Sequence, residues 1–287
     1  MGLGNISISE NYPEVSKDEM LAKLDVLKEP FLNNFNPDIK ERIDRIKRVQ
    51  ALVEENFDEF HAALRSDFGS RHEQMSLVSD TMPVVNNAKY VLKNIKKWMK
   101  PEKRKPNFPL GLLGAKTFVQ FQPYGVVGII SPWNFPLNLS IAPLIEVFAA
   151  GNNAMMKLSE FVPATSELTE KLINKYFSEK EVVVINGGPK TSQDFAGLPF
   201  DHLLFTGSTN VAKKVASEAV TGVGVRGGLK GIRKLIGESI GVIPIVGDIV
   251  GVLLDIFVFG EPIGRAAFMG IGSALLGLIG GLLGSIA

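Results

Sequence analysis

The stretch 125–160, GVVGIISPWNFPLNLSIAPLIEVFAAGNNAMMKLSE, constrains the fold of this chain more than any other. It opens on an apolar, β-branched run (Val126, Val127, Ile129, Ile130) that stops at Pro132, the pattern of a strand buried on both faces of a parallel sheet. Ser131-Pro132-Trp133-Asn134-Phe135-Pro136 follows, and its two prolines exclude both a helix and a central strand through it. Asn134 is therefore expected on a rigid loop at the carboxyl end of a strand, where open α/β sheets place their ligands. The spacing then predicts a helix over 139–150, closed by Gly151, and a second short strand over 153–158. Strand, helix, strand in this order is a right-handed crossover.

The second strand ends in Lys157-Leu158-Ser159-Glu160. A cation and a carboxylate three residues apart at a strand terminus fit two readings, an ordinary surface ion pair or a grip on a ribose diol or phosphate. Beyond it the pattern predicts a helix over 164–177 opened by Pro163, with Thr165, Glu167 and Thr169 on its polar side, and a buried strand over 182–185. A turn at Asn186-Gly187-Gly188-Pro189, a brief helix over 191–196, a strand over 202–205 and a helix over 210–219 complete a doubly wound α/β alternation. Gly207 and Ser208 fall at the last strand-to-helix junction, where unpaired amides and the positive end of the helix dipole gather. Either a pyrophosphate sits there, or Gly207 only turns the chain and Ser208 caps the helix.

Upstream the chain reads as helices. Ser16 caps a helix over 16–33, with Glu19 completing a capping box and Met20, Leu21, Leu24 and Leu27 on one face. Asn36 as cap and Pro37 at the first helical position are expected to open the next. A third helix spans 57–68 and stops at Gly69, and a long one runs over 72–99 with a kink at Pro83. A basic, Pro-rich connector covers 101–113, and Thr117 to Gln122 alternates as a half-exposed strand does.

SPWNFP, KLSE and FTGST, in that order, resemble the aldehyde dehydrogenase superfamily, and most of all its coniferyl-aldehyde dehydrogenase branch, over about residues 15–219. The resemblance implies a Rossmann-like domain binding NAD or NADP, with Trp133 beside the nicotinamide, Lys157 and Glu160 on the adenosine ribose, and Gly207 with Ser208 on the pyrophosphate. Asn134 corresponds to the oxyanion-hole amide that stabilises negative charge on an attacked aldehyde oxygen. On the residues alone, a loop asparagine bonding its own backbone is the competing reading of that position. By charge, Glu160 favours a free ribose 2'-hydroxyl, while Lys157 tolerates a phosphate. The family's GSTxxG segment has Ala212 at its last position here; the extra methyl either crowds a cofactor or tightens helix packing. The strand at 117–122 corresponds to one that joins an oligomerisation sheet.

The family's chemistry also needs a cysteine nucleophile and a glutamate base from an ELGG segment, both beyond the point matching Ala219. The 287-residue chain contains no cysteine and no such segment. It is therefore expected to be catalytically incompetent by itself, whatever aldehyde the intact family oxidises. The lack of cysteine also excludes disulfides and thiolate metal sites. His61, His72 and His202 lack ligand spacing, so no metal is expected. A net charge of +1 offers no nucleic-acid footprint. The amino terminus has neither a basic nor an apolar signal region, although MGLGNIS fits the loose pattern for acylation of Gly2. A cytoplasmic location follows from these readings.

From Val220 the composition turns to Gly, Ile, Leu and Val. TGVGVRGG, with Gly222, Gly224 and Gly227, follows a helix rather than a strand and reads as a flexible joint. Pro244, Asp248 and Asp255 interrupt the apolar run 240–259. The segment 266–287 carries no charge, and Ser273, Gly277, Gly281 and Ser285 recur every four residues as in close-packed helices. It reads as a membrane-associating hairpin, a glycine-zipper assembly segment, or a piece of another, phage-like reading frame.

The expected architecture is thus α/β in three parts. An amino-terminal helical region covers 1–115, a partial dinucleotide-binding domain with an incomplete Rossmann-like doubly wound sheet covers 116–219, and an unrelated Gly-rich apolar tail covers 220–287. The alternative is a non-enzymatic membrane-associated or assembly protein whose tail carries the function. An incomplete sheet predicts an uncovered strand edge and self-association.

Overall fold

The computed structural model describes residues 14–227 and 254–256. The expectations for the acylation pattern, for most of the run 240–259 and for 266–287 lie outside the described residues. The helical part comprises α1 (Lys17–Asn33), α2 (Ile39–Glu54), α3 (Phe57–Phe68), α4 (Glu73–Ser76) and α5 (Met82–Trp98). An arm follows, made of β1 (Glu102–Arg104) paired antiparallel with β2 (Thr117–Val119). The α/β part then runs β3 (Val126–Ile130), α6 (Asn138–Ala149), β4 (Asn153–Lys157), α7 (Pro163–Tyr176), β5 (Val182–Ile185), α8 (Pro189–Ala196), β6 (His202–Phe205) and α9 (Thr209–Gly227).

The sheet has the order β5-β4-β3-β6-β7, where β7 is Leu254–Ile256, and all its pairings are parallel. Successive side chains of a strand point to opposite faces, and the sequence uses both. Val127, Ile129, Ala154, Met156, Val182 and Val184 face α2, α5, α6 and α7, whereas Val126, Ile130, Met155, Val183, Ile185, Leu203 and Phe205 face α1, α8 and α9. Both faces being covered explains why β3 and β5 are apolar throughout rather than alternating, and why β4 is apolar between its polar ends, Asn153 and Lys157.

Ser16 caps α1 as expected, its side chain accepting from the Glu19 amide at 3.2 Å. The second helix begins later than expected. Asp38, not Asn36, is its cap, accepting from the Lys40 and Glu41 amides at 2.8 and 2.9 Å. Asn36 instead accepts from the buried Arg42 guanidinium, which also donates to the Ala149 carbonyl at the end of α6. The long helix near Pro83 is divided by a π-helical turn, Leu77–Thr81, rather than by a kink alone. Proline cannot donate to the carbonyl four residues back. That carbonyl, on Ser79, accepts from the Asn138 side chain at 3.1 Å, so the lost bond is replaced from α6.

Thr165 and Thr169, expected on a polar face, are buried on α7. Thr169 returns its hydroxyl to the Thr165 carbonyl at 2.7 Å, and Asp67 of α3 caps α7 by accepting from the Ala164 and Thr165 amides. Helix α9 does not stop at residue 219 but continues through Gly222 and Gly224 to Gly227, so these glycines are helical rather than a joint. Close packing is the reason at Gly222, where a Cβ would come within 2.1 Å of the Gly197 carbonyl oxygen. Strand β6 is paired with β7 in the register Leu203↔Leu254, so among the described residues the outer strands of the sheet are β5 and β7. Among the described residues no helix is long and apolar enough to cross a membrane.

Candidate cofactor and oxyanion site

Three loops leave the carboxyl edge of adjacent strands. Strand β3 delivers Trp133 and Asn134, β4 delivers Lys157 and Glu160, and β6 delivers Gly207 and Ser208. Ile130 pairs with Lys157 on one side and Phe205 on the other. The two outer loops therefore flank the central one at about 10 Å from each other, twice the strand spacing. From β3 the chain proceeds to β4 and β5 on one side and returns to β6 on the other. The crevice at that switch is where an open sheet accepts a ligand.

The central loop is locked from outside the sheet. Arg71 donates to the Asn134 carbonyl at 3.2 Å, to Ser79 Oγ at 2.8 Å and to Asp80 Oδ2 at 2.7 Å. The fully buried Asp80 also accepts from the Leu137 and Asn138 amides through Oδ1, at 3.2 and 3.4 Å. The guanidinium lies 4.4 Å from the Phe68 ring and 5.5 Å from the Phe135 ring. Burial pushes the Asp80 carboxyl above its ordinary range, and Arg71, the Ser79 hydroxyl and the two amides pull part of that back. The π turn aims Asp80 at the loop, an arrangement often found at functional sites. Sequence reading missed this clamp. Arg71 and Asp80 are close in sequence, but the loop they hold lies 57 residues beyond Asp80, so they leave no local pattern.

Within the loop, Asn134 Oδ1 is buried with no hydrogen-bond partner. That oxygen can only accept; an incoming oxygen would be met by the other end of the amide, Nδ2, which is the donor. Trp133 is 38% exposed, its ring 6.3 Å from that of Phe68.

Lys157 departs from the surface-pair reading, for it is 1% exposed. Its ammonium donates to the Leu158 carbonyl at 2.6 Å and lies 3.5 Å from Glu160 Oε2. Burial draws its pKa below the ordinary lysine range, while the charges of Glu160 and Glu14 oppose that. A buried lysine with one donor left over and a mostly covered carboxylate beside it provide a donor and an acceptor for a pair of adjacent hydroxyls.

At the third loop, Ser208 takes the capping place: the Val211 amide points at its Oγ at 3.5 Å, and its carbonyl accepts from the Ala212 amide at 2.9 Å. Gly207 and Ser208 are both exposed. A Cβ on Gly207 would approach the Phe205 ring to 2.5 Å, so only glycine keeps the backbone this close to the strand end. Ala212 is 1% exposed and packs in the core beside Phe205 and Val215. Its methyl group therefore tightens helix packing rather than facing a cofactor.

The aldehyde dehydrogenase family profile matches residues 11–226. The chain belongs to the aldehyde dehydrogenase family. A probable coniferyl aldehyde dehydrogenase of Caulobacter vibrioides is 50% identical over 184 residues, which is 64% of this chain and 38% of that protein. Among solved structures, the substrate-bound state of Staphylococcus aureus AldH superposes with a TM-score of 0.67 at 31% identity, covering 71% of this chain and 44% of that one. The aldehyde dehydrogenase of Mycobacterium tuberculosis complexed with NAD+ shares the fold, with a TM-score of 0.63 at 24% identity, covering 74% and 43%. The chain thus spans about two fifths of the length of these relatives.

Proposed function

We propose that this chain is the cofactor-holding portion of an aldehyde dehydrogenase, able to bind NAD or NADP but unable by itself to oxidise an aldehyde. The observation that carries the reading is the convergence of Asn134, the buried Lys157–Glu160 pair and the Gly207-Ser208 helix start on one strand edge. In this reading Lys157 donates to, and Glu160 accepts from, the adenosine ribose hydroxyls. The α9 amides with Gly207 and Ser208 receive the pyrophosphate, and Trp133 borders the nicotinamide. Asn134, held by the Arg71–Asp80 clamp, offers its amide to an aldehyde oxygen. When bound, the dinucleotide supplies a hydride acceptor.

The step that precedes hydride transfer in the family is attack by a thiolate. This 287-residue chain has no thiol. The site residues therefore bind and orient, and no described group stands in for the nucleophile. The experiment is a calorimetric titration of the full chain with NAD+. Saturable one-site binding is expected, weakened at least about tenfold in Lys157→Met with an unchanged melting temperature. Equal affinity of wild type and variant would overturn the assignment.

A further inference from the structure

A second carboxylate, from near the amino terminus, sits at the head of the helix that follows β5, the strand whose Ile185 pairs with Lys157. Helix α8 begins after β5, the neighbour of β4, with Gly188 at its cap position and hence no side chain to satisfy its first amides. Glu14 performs that task from 177 residues away. Its Oε2 accepts from the Thr191 amide at 2.8 Å and also from the Thr191 hydroxyl. The oxygen of that hydroxyl accepts in turn from the Val15 amide at 3.0 Å, which fastens the strap that carries Glu14. A Cβ on Gly188 would lie 2.7 Å from Glu14 Oε1, so the carboxylate rests against bare backbone at the mouth of the β5–α8 loop. Its charge reaches Lys157 and, with that of Glu160, opposes the effect of burial on that lysine.

Resting on the dinucleotide reading, we infer that Glu14 is a specificity-determining residue of the same site: seated at the amino end of α8, one strand over from the end of β4 that carries Lys157, it admits a ribose with a free 2'-hydroxyl and refuses a 2'-phosphate. Two things that would attract a phosphate there are already used. The Thr191 amide of α8 is engaged by a carboxylate, and the positive charge of Lys157 is already paired with Glu160. A 2'-phosphate would add up to about two negative charges to a place whose local balance is already negative. A free hydroxyl adds none and needs only a donor and an acceptor. Glu14 thus commits a site otherwise open to either dinucleotide to NAD.

The test measures NAD+ and NADP+ affinities of the full chain by calorimetry, for wild type, Glu14→Gln and Glu54→Gln. The first substitution keeps a hydrogen-bond acceptor for α8 and loses only the charge, while the second, on α2, controls for net charge. The wild type is expected to prefer NAD+, and E14Q to shift the affinity ratio toward NADP+ by about tenfold, with E54Q leaving the ratio in place. An unchanged ratio in E14Q would make Glu14 a helix cap and nothing more. Failure of both dinucleotides to bind any of the three forms would overturn the cofactor reading itself, and this inference with it.

Discussion

Removing Arg71 exposes what the clamp contributes. Its side chain is 8% exposed and that of Asp80 is 0% exposed, so the pair is desolvated. In Arg71→Ala the Asp80 carboxylate keeps its Ser79 and amide partners but loses the counter-charge at 2.7 Å. Breaking a buried pair by deleting one partner costs roughly 3–5 kcal/mol. For a domain of this size that is a fall of roughly 6–20 °C in melting temperature. The loss is pH-dependent with a definite sign. Asp80 already has a folded pKa above its unfolded value, and removal of Arg71 raises it further. A raised acid pKa destabilises the fold above that pKa, so the variant recovers part of its stability as pH falls through it. Urea unfolding at a series of pH values, followed by tryptophan emission, measures this directly. Asp80→Asn combined with Arg71→Ala closes the double-mutant cycle and is expected to be milder than Arg71→Ala alone. A cost below about 1 kcal/mol, flat with pH, would place the pair among weakly contributing surface ion pairs and refute the reasoning.

Other outcomes follow from single contacts. Burial holds the Glu146 carboxyl at about 6 against an ordinary value of 4.5. Stability should therefore decline as pH rises from 4.5 through 6, and Glu146→Gln should be more stable by about 2 kcal/mol above that window; an equal melting temperature at pH 8 would contradict this. On the arm, Phe108 is 86% exposed, and Leu112 and Leu113 are each 79% exposed, so sedimentation is expected to show self-association that serine at all three reduces. Sedimentation as a monomer by the wild type would remove that expectation. Gly222→Val would drive a side chain into the Gly197 carbonyl and should cost about 1–3 kcal/mol; a neutral melting temperature would mean α9 does not pack there.

The strands were the most legible part of the sequence. Val126–Ile130 and Val182–Ile185 are short β-branched runs cut off by proline, asparagine or glycine, and nothing in their surroundings competes with the local signal. The strand-end loops were legible as positions but not as environments. Spacing alone leaves Lys157 open to a surface ion pair, and only the assembled fold shows it enclosed. Composition misplaced the end of α9, since glycine suggests a joint unless a neighbouring backbone approaches as Gly197 does. The Arg71–Asp80 clamp and the Glu14–Thr191 contact join residues far apart in the chain to loops whose own sequence contains no trace of them. Asp38 displaced Asn36 as a cap because Arg42 recruits Asn36 to hold the end of α6.

The most direct test of the account is a turnover assay. The purified chain, saturated with NAD+ and given coniferaldehyde, is followed by the absorbance of the reduced nicotinamide. With Asn134, Lys157, Glu160, Gly207 and Ser208 present and no thiol in the chain, the account predicts bound cofactor and no rate above the protein-free blank. Sustained aldehyde-dependent reduction would contradict it and require a nucleophile other than cysteine.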